Sequence, residues 1–146
     1  MEYPEVARMR HDDPFRKELV KELRQVETLM GRDCSMEKRI YYFSAAYGAT
    51  GRAYRYSLSR DVLLADLVLQ TTHQIFAERL MRMKGGDTTV IIEELHFQRL
   101  REGLTMLASG LEKAENIQGP LEALLVTAHS VTGPGNYLRE RGDLQL

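Results

Sequence analysis

The chain has 146 residues, a net charge of −1 from 20 basic and 21 acidic side chains, and a single cysteine. This length favours one domain over the whole chain, and the balanced charge argues against an electrostatic surface for nucleic acid or membrane. One cysteine excludes an intrachain disulfide framework, and no apolar run reaches the ~20 residues that span a bilayer. The N-terminus carries no signal-peptide core. We therefore expect a single-domain cytoplasmic protein, 1–146, without membrane or nucleic-acid partners.

Five segments carry apolar side chains at the three- and four-residue spacing of an amphipathic helix. The first starts with Asp13 and Pro14, a cap followed by a residue suited to the first helical turn. Ser35 caps the second segment, and the pair Gly85 and Gly86 ends the third. The predicted helices are 14–30, 36–58, 61–84, 88–116 and 120–131, with polar tails at both ends of the chain.

Short loops between long helices favour antiparallel neighbours. The predicted fold class is therefore all-α: an up-and-down antiparallel four-helix bundle with one or two additional short helices. Its organising element is helix 88–116, which we expect Asp87 to cap. The apolar stripe of this helix runs through Phe97 and Leu100, and the same spacing taken backwards places Glu93 on the buried stripe. A buried carboxylate needs a cationic partner, for which the candidates are His96, Arg52 and Arg55, or a polar cavity, in which case Glu93 lines a ligand pocket.

The third helix has more apolar surface than is needed for a helix that has one face exposed to solvent. From Val62 to Leu69 every residue except Asp66 is apolar. A surface of this kind is typical of a central helix or of a contact between subunits. The leading interpretation is a helical-bundle protein that works through self-association or a protein partner. The expected homo-oligomer contact consists of Val62, Leu63, Leu67 and Leu69.

The alternative function is binding of a nucleotide or another phosphate-bearing ligand. The second helix has five basic side chains against one acidic side chain between Met36 and Arg60, with tyrosines interleaved. A guanidinium grips phosphate while an aromatic ring stacks on a base. The candidate residues on this helix are Arg52, Arg55, Tyr47 and Tyr54. The competing interpretation is that the tyrosines belong to the core and that the arginines pair with neighbouring acidic helices.

Glu93 and His96 have the Glu-x-x-His spacing that places two metal ligands on one helical face. A carboxylate-bridged metal site needs a second such pair, and no other glutamate in the chain precedes a histidine by three residues. We therefore predict no metal site and no cofactor, with a nucleotide as the alternative ligand. Catalytic signatures, such as a nucleophile elbow or a phosphate-binding loop, are absent from the sequence.

The run Leu95-His96-Phe97-Gln98-Arg99 resembles the leucine-histidine-phenylalanine-x-arginine segment of helical-bundle cob(I)alamin adenosyltransferases. The resemblance covers about five residues and implies a shared bundle architecture. It also implies an adenosyltransferase-like nucleotide site that includes His96 and Arg99. The family's arginine cluster and its glycine- and threonine-rich ATP segment have no counterpart in this chain.

Overall fold

The computed structural model describes residues 14–132, and within this range the chain forms five α-helices and no strand. The helices are α1 (Pro14–Met30), α2 (Met36–Ser57), α3 (Arg60–Lys84), α4 (Glu94–Glu112) and α5 (Gln118–Thr132). The prediction of an all-helical chain is confirmed. The expected polar tails and the Asp13 cap lie outside the described residues.

α1 runs antiparallel to α2 and to α4, and α2 runs antiparallel to α3, as their contacts show. The first turn of α1 lies at the end of α4, where Arg16 donates to the carbonyl of Leu111. Further along α1, Glu22 pairs with Arg52 near the end of α2. α5 packs against both α4 and α3. Together the five helices enclose one core whose largest fully buried side chains include Phe43, Phe76 and Phe97.

Local capping explains why α2 has nearly the predicted bounds. The Ser35 side chain accepts from the backbone N–H of Lys38 at 3.1 Å, which satisfies one of the free amides of the first turn. At the other end Leu58 adopts a left-handed conformation, with φ of 51°, and its N–H donates to the carbonyl of Tyr54. α2 packs against both α1 and α3, where its small buried residues Ala46 and Ala49 allow close packing.

The predicted helix 88–116 begins six residues too early. Asp87 does not cap α4; its carboxylate accepts from the backbone N–H and the hydroxyl of Thr89, at 2.9 and 2.6 Å, and pairs with Arg82. An extended segment follows, in which Val90 and Ile92 are buried. Glu93 is the exposed N-cap residue of α4. The prediction that Glu93 occupies the buried stripe is therefore wrong, because the chain is not helical before Glu94.

The same helix also ends four residues earlier than predicted. Ala114 has a φ of 55°, and the N–H of Glu115 reaches back to the carbonyl of Gly110 at 2.8 Å. This pattern is a Schellman motif, in which a left-handed residue closes the last helical turn. Glycine usually occupies that position because other residues are strained there. Alanine carries no such signal, so the sequence pattern extends past the true end.

None of the helices in residues 14–132 is both long enough and apolar enough to cross a bilayer.

Candidate functional site

The predicted ligand residues on α2 are largely occupied by contacts within the protein. Arg52 is exposed and pairs with Glu22 of α1. Tyr47 makes an edge contact with His73 of α3 at 5.2 Å between ring centroids, and Tyr54 is half-buried against the core. Arg55 is exposed in the last turn of the helix. The tyrosines therefore contribute to packing, and Arg55 alone of the four presents an exposed side chain with no ion pair among the described residues.

The second predicted group lies at the start of α4. The backbone N–H of Glu93 donates to Nδ1 of His96 at 2.9 Å, so the imidazole caps the helix. Burial lowers the pKa of His96, which favours the neutral ring that this hydrogen bond requires. Arg99 is exposed, and the residue that pairs across to α2 is Glu94, which contacts Arg39. His96 thus has a structural role in the protein.

The two predicted groups lie at opposite ends of α2. Arg39 adjoins the start of α4, whereas Arg52 adjoins Glu22 of α1. The separation of thirteen positions along the helix corresponds to about 20 Å at 1.5 Å per residue. The structure therefore does not bring Arg52 and Arg55 together with Glu93, His96 and Arg99. Neither arginine is the partner of Glu93.

Arg52 lines a small cavity of about 180 Å³ beside the stacked rings of Phe15 and Tyr56, whose centroids are 4.7 Å apart. Two carboxylates, Glu18 and Glu22, share this lining. The carboxylates outnumber the single guanidinium, so the cavity repels phosphate despite its aromatic wall. Within the described residues, no three acidic, histidine or cysteine side chains converge as metal ligands.

A larger cleft follows the outer face of α1 toward the end of α4, with a volume of about 660 Å³. We call it the basic groove. Four of its side chains are cationic and one is acidic. The cations are Lys17, Lys21, Arg24 and Arg32, the carboxylate is Glu112, the apolar residues are Val20 and Leu29, and the neutral polar residues are Gln25 and Thr28. Three of the cations recur at i, i+4 and i+7 of one helix, a spacing that is visible in the sequence.

The cations of the basic groove differ in their pairing. Arg24 donates two hydrogen bonds to the Glu112 carboxylate, at 2.8 and 3.0 Å. This contact raises the pKa of Arg24 and lowers the pKa of Glu112. Within residues 14–132 no ion pair engages Lys17, Lys21 or Arg32, and all three are exposed. The groove therefore presents unpaired positive charge to solvent.

A second cleft of about 360 Å³ separates the first halves of α3 and α5, and we call it the apolar groove. Its walls are Leu64 and Val68 on α3 and Leu121 and Leu125 on α5. Leu64 and Leu125 are 46% and 41% exposed. The rim is polar and consists of Arg60, Asp61, Glu115, Asn116, Gln118 and Glu122.

The apolar groove uses only part of the predicted contact surface. Val62 and Leu69 are fully buried in the core of the single chain, and Leu63 is half-buried. Leu67 is 51% exposed and lies one turn along α3 from Leu64. The prediction that Val62 and Leu69 face a partner is therefore wrong, because they complete the chain's own core. The sequence did not single out Leu64, since an almost continuous apolar run does not show which side of the helix is covered.

No protein-family model matches the chain, and no curated protein or solved structure matches it either.

Proposed function

We propose that this protein is a helical-bundle protein that acts through self-association, with the apolar groove as the contact between two copies. The observation that supports this most is the apolar surface left uncovered on two neighbouring helices. Leu64 and Leu67 on α3 and Leu125 and Val126 on α5 are 41–68% exposed. Removal of such surface from water is favourable by about 25 cal/mol per Å², before the costs of association are subtracted. Apolar side chains grouped in this way are typical of an interaction site.

The shape of the surface favours a second copy of the same chain. Leu67 and Val126 are exposed, and each lies within one helical turn of a residue that walls the recess, Leu64 on α3 or Leu125 on α5. A two-fold contact pairs the same patch on both copies, so the exposed side chains of each copy can enter the recess of the other. The rim also carries both signs of charge, with Arg60 on α3 and Glu122 on α5. Such a rim allows ion pairs across the contact.

We also infer that α1 to α4 form an up-and-down antiparallel four-helix bundle to which α5 is added, in a cytoplasmic protein. The antiparallel pairs α1–α2, α2–α3 and α1–α4 support this arrangement. In it, α5 packs on α4 and α3 and so supplies the second wall of the apolar groove.

Light scattering after size exclusion tests the self-association. We expect the wild-type chain to have the mass of a dimer at micromolar concentration. Leu64→Glu combined with Leu125→Glu should give a monomer, because two charges would have to be buried without partners. Leu95→Glu is the matched control: Leu95 is 47% exposed, close to Leu64, but lies at the start of α4. A wild-type monomer at high concentration, or equal effects of both variants, would contradict the proposal.

Binding of a nucleotide, by analogy with the adenosyltransferases, remains the alternative prediction. The observation in its favour is Arg55, which is exposed and free of ion pairs among the described residues. A ligand that binds only the folded state must raise the melting temperature. A rise with ATP or cobalamin that Arg55→Ala abolishes would support this alternative. No rise with either compound would remove it.

A further inference from the structure

We propose that the basic groove is a second binding site, which takes an acidic peptide segment of a partner protein. It is separate from the apolar groove, because it lies on α1 and the end of α4 whereas the apolar groove lies between α3 and α5. The lining contains four cationic side chains and one carboxylate, although the chain as a whole has a net charge of −1. Charge is therefore concentrated at this place in the fold.

The spacing of the cations matches a ligand with repeated negative charges. Lys17, Lys21 and Arg24 lie on successive turns of α1, about 5–6 Å apart along the helix axis. With Thr28 the polar stripe extends over about 16 Å. A single phosphate needs donors that converge on one point, as in bidentate arginine contacts. A row of separated cations suits a row of carboxylates on a peptide.

The lining of the groove favours a peptide over a nucleic acid. Val20 and Leu29 are its two apolar residues, and Leu29 is half-buried. The accessible part of Leu29 can contact an aliphatic side chain of an amphipathic acidic segment. Proteins that bind single-stranded nucleic acid combine basic grooves with aromatic rings on which bases stack. None of the residues that line the groove in the described part of the chain is aromatic.

Glu112 occupies the position that a ligand carboxylate would take. It holds Arg24 through two hydrogen bonds, and both side chains of this pair are about half exposed. An exposed ion pair of this kind contributes little to stability, so it can be exchanged for a contact with another carboxylate. In the free protein Glu112 is therefore an internal competitor for the site. Its removal should strengthen binding.

Fluorescence anisotropy tests the site with a labelled synthetic peptide of Glu-Glu-Leu-Glu repeats. We expect binding that weakens as salt is added, because the contacts are exposed to solvent. Lys17→Glu combined with Lys21→Glu should raise the Kd about tenfold or more, since two attractions become repulsions. Glu112→Gln should lower the Kd by about two- to fivefold, because it frees Arg24.

Lys38→Glu is the matched control for charge reversal. Lys38 is exposed near the start of α2, where a glutamate is compatible with the helix terminus, and it does not line the groove. This variant should leave the Kd within about twofold of wild type. If circular dichroism shows that the double variant does not fold, the single variants Lys21→Gln and Glu112→Gln give the same comparison, with a higher Kd expected for the first and a lower Kd for the second. The proposal would be overturned if the peptide did not bind or if the groove variants left its Kd unchanged. It would also be overturned if polyphosphate or oligothymidine bound more tightly than the peptide.

Discussion

Helix α4 packs between two neighbours by different means. Its contact with α1 is directed by polar groups: Arg16 donates to the last carbonyls of α4, and Arg101 contacts Glu27 at 2.9 Å. Its contact with α5 is apolar and close, with Gly103 facing the side chain of Leu124. Hydrogen bonds are directional and so specify the register of two helices, whereas apolar contacts are stabilised by burial and have no preferred direction. Cations without an ion pair among the described residues lie in the basic groove beside the α1–α4 contact, and exposed leucines lie in the apolar groove beside α5.

Removal of the Arg16 hydrogen bonds should weaken the contact between α1 and α4 and cause the largest of the expected losses of stability. The Arg16 side chain is buried and donates to the carbonyls of Leu111 and Glu112. Arg16→Met retains an apolar stem but removes two hydrogen bonds from a charged donor and leaves the Leu111 carbonyl to the backbone N–H of Ala114, so the free energy of unfolding should fall by about 3 kcal/mol. Urea unfolding measures this change. Lys17→Met, at the exposed neighbouring position, is the control, and an equal effect of both variants would contradict the role of Arg16.

Overpacking at Gly103 should weaken the apolar contact between α4 and α5 and cause a smaller loss of stability. A Cβ at this position would lie 2.6 Å from Cδ2 of Leu124, whose side chain is fully buried. Gly103→Ala should lower the free energy of unfolding by about 1–2 kcal/mol, since overpacking outweighs the gain in helix propensity. The control is Gly48→Ala in α2, where the nearest atom is 3.7 Å away. It should raise stability by up to about 1 kcal/mol in the same urea experiment. A stabilising Gly103→Ala would show that α5 shifts readily.

The His96 cap at the start of α4 belongs neither to the contact with α1 nor to the contact with α5, so its contribution to stability can be measured separately from both. Burial lowers the pKa of His96 below its ordinary value of 6.5, so the unfolded chain takes up a proton before the folded protein does. Stability is therefore lost as the pH falls below 6.5 and through the folded pKa. Protonation of Nδ1 also breaks its hydrogen bond with the N–H of Glu93.

His96→Gln keeps an acceptor at this position but does not titrate. Thermal melts at about pH 7 and about pH 5 should show a smaller loss for this variant than for wild type. Some loss should remain, because burial also lowers the pKa of His73. Replacement of His73 by Gln is the companion measurement. Identical pH dependence in wild type and His96→Gln would contradict the capping role.

The smallest expected effect comes from the Arg24–Glu112 pair. Both side chains are about half exposed, and exposed ion pairs contribute little to stability. Arg24→Gln should leave the melting temperature unchanged within error at physiological salt. A loss as large as that of Gly103→Ala would mean that this pair, and not Arg16 alone, holds α1 to α4. It would also weaken the argument that Glu112 is free to exchange.

The sequence predicted the first three helices to within one residue at each end. Their ends carry local signals, such as Pro14 at the start of α1 and Ser35 as the cap of α2. The fourth helix was predicted too long because its true ends carry unusual residues. The β-branched run from Thr88 to Ile92 disfavours a helix, but its apolar members continued the helical spacing. Ala114 stands where glycine normally marks a helix end.

The candidate sites depended more strongly on tertiary structure. The cations of α1 and the apolar run of α3 are visible in the sequence, because spacing along a helix is a local property. Which face of α3 is covered is decided by α2 and α5, and this is why Val62 became core while Leu64 stayed exposed. The separation of Arg52 from His96 likewise follows from the direction of α2. Composition and periodicity determined the helices, whereas packing alone decided which of their side chains meet.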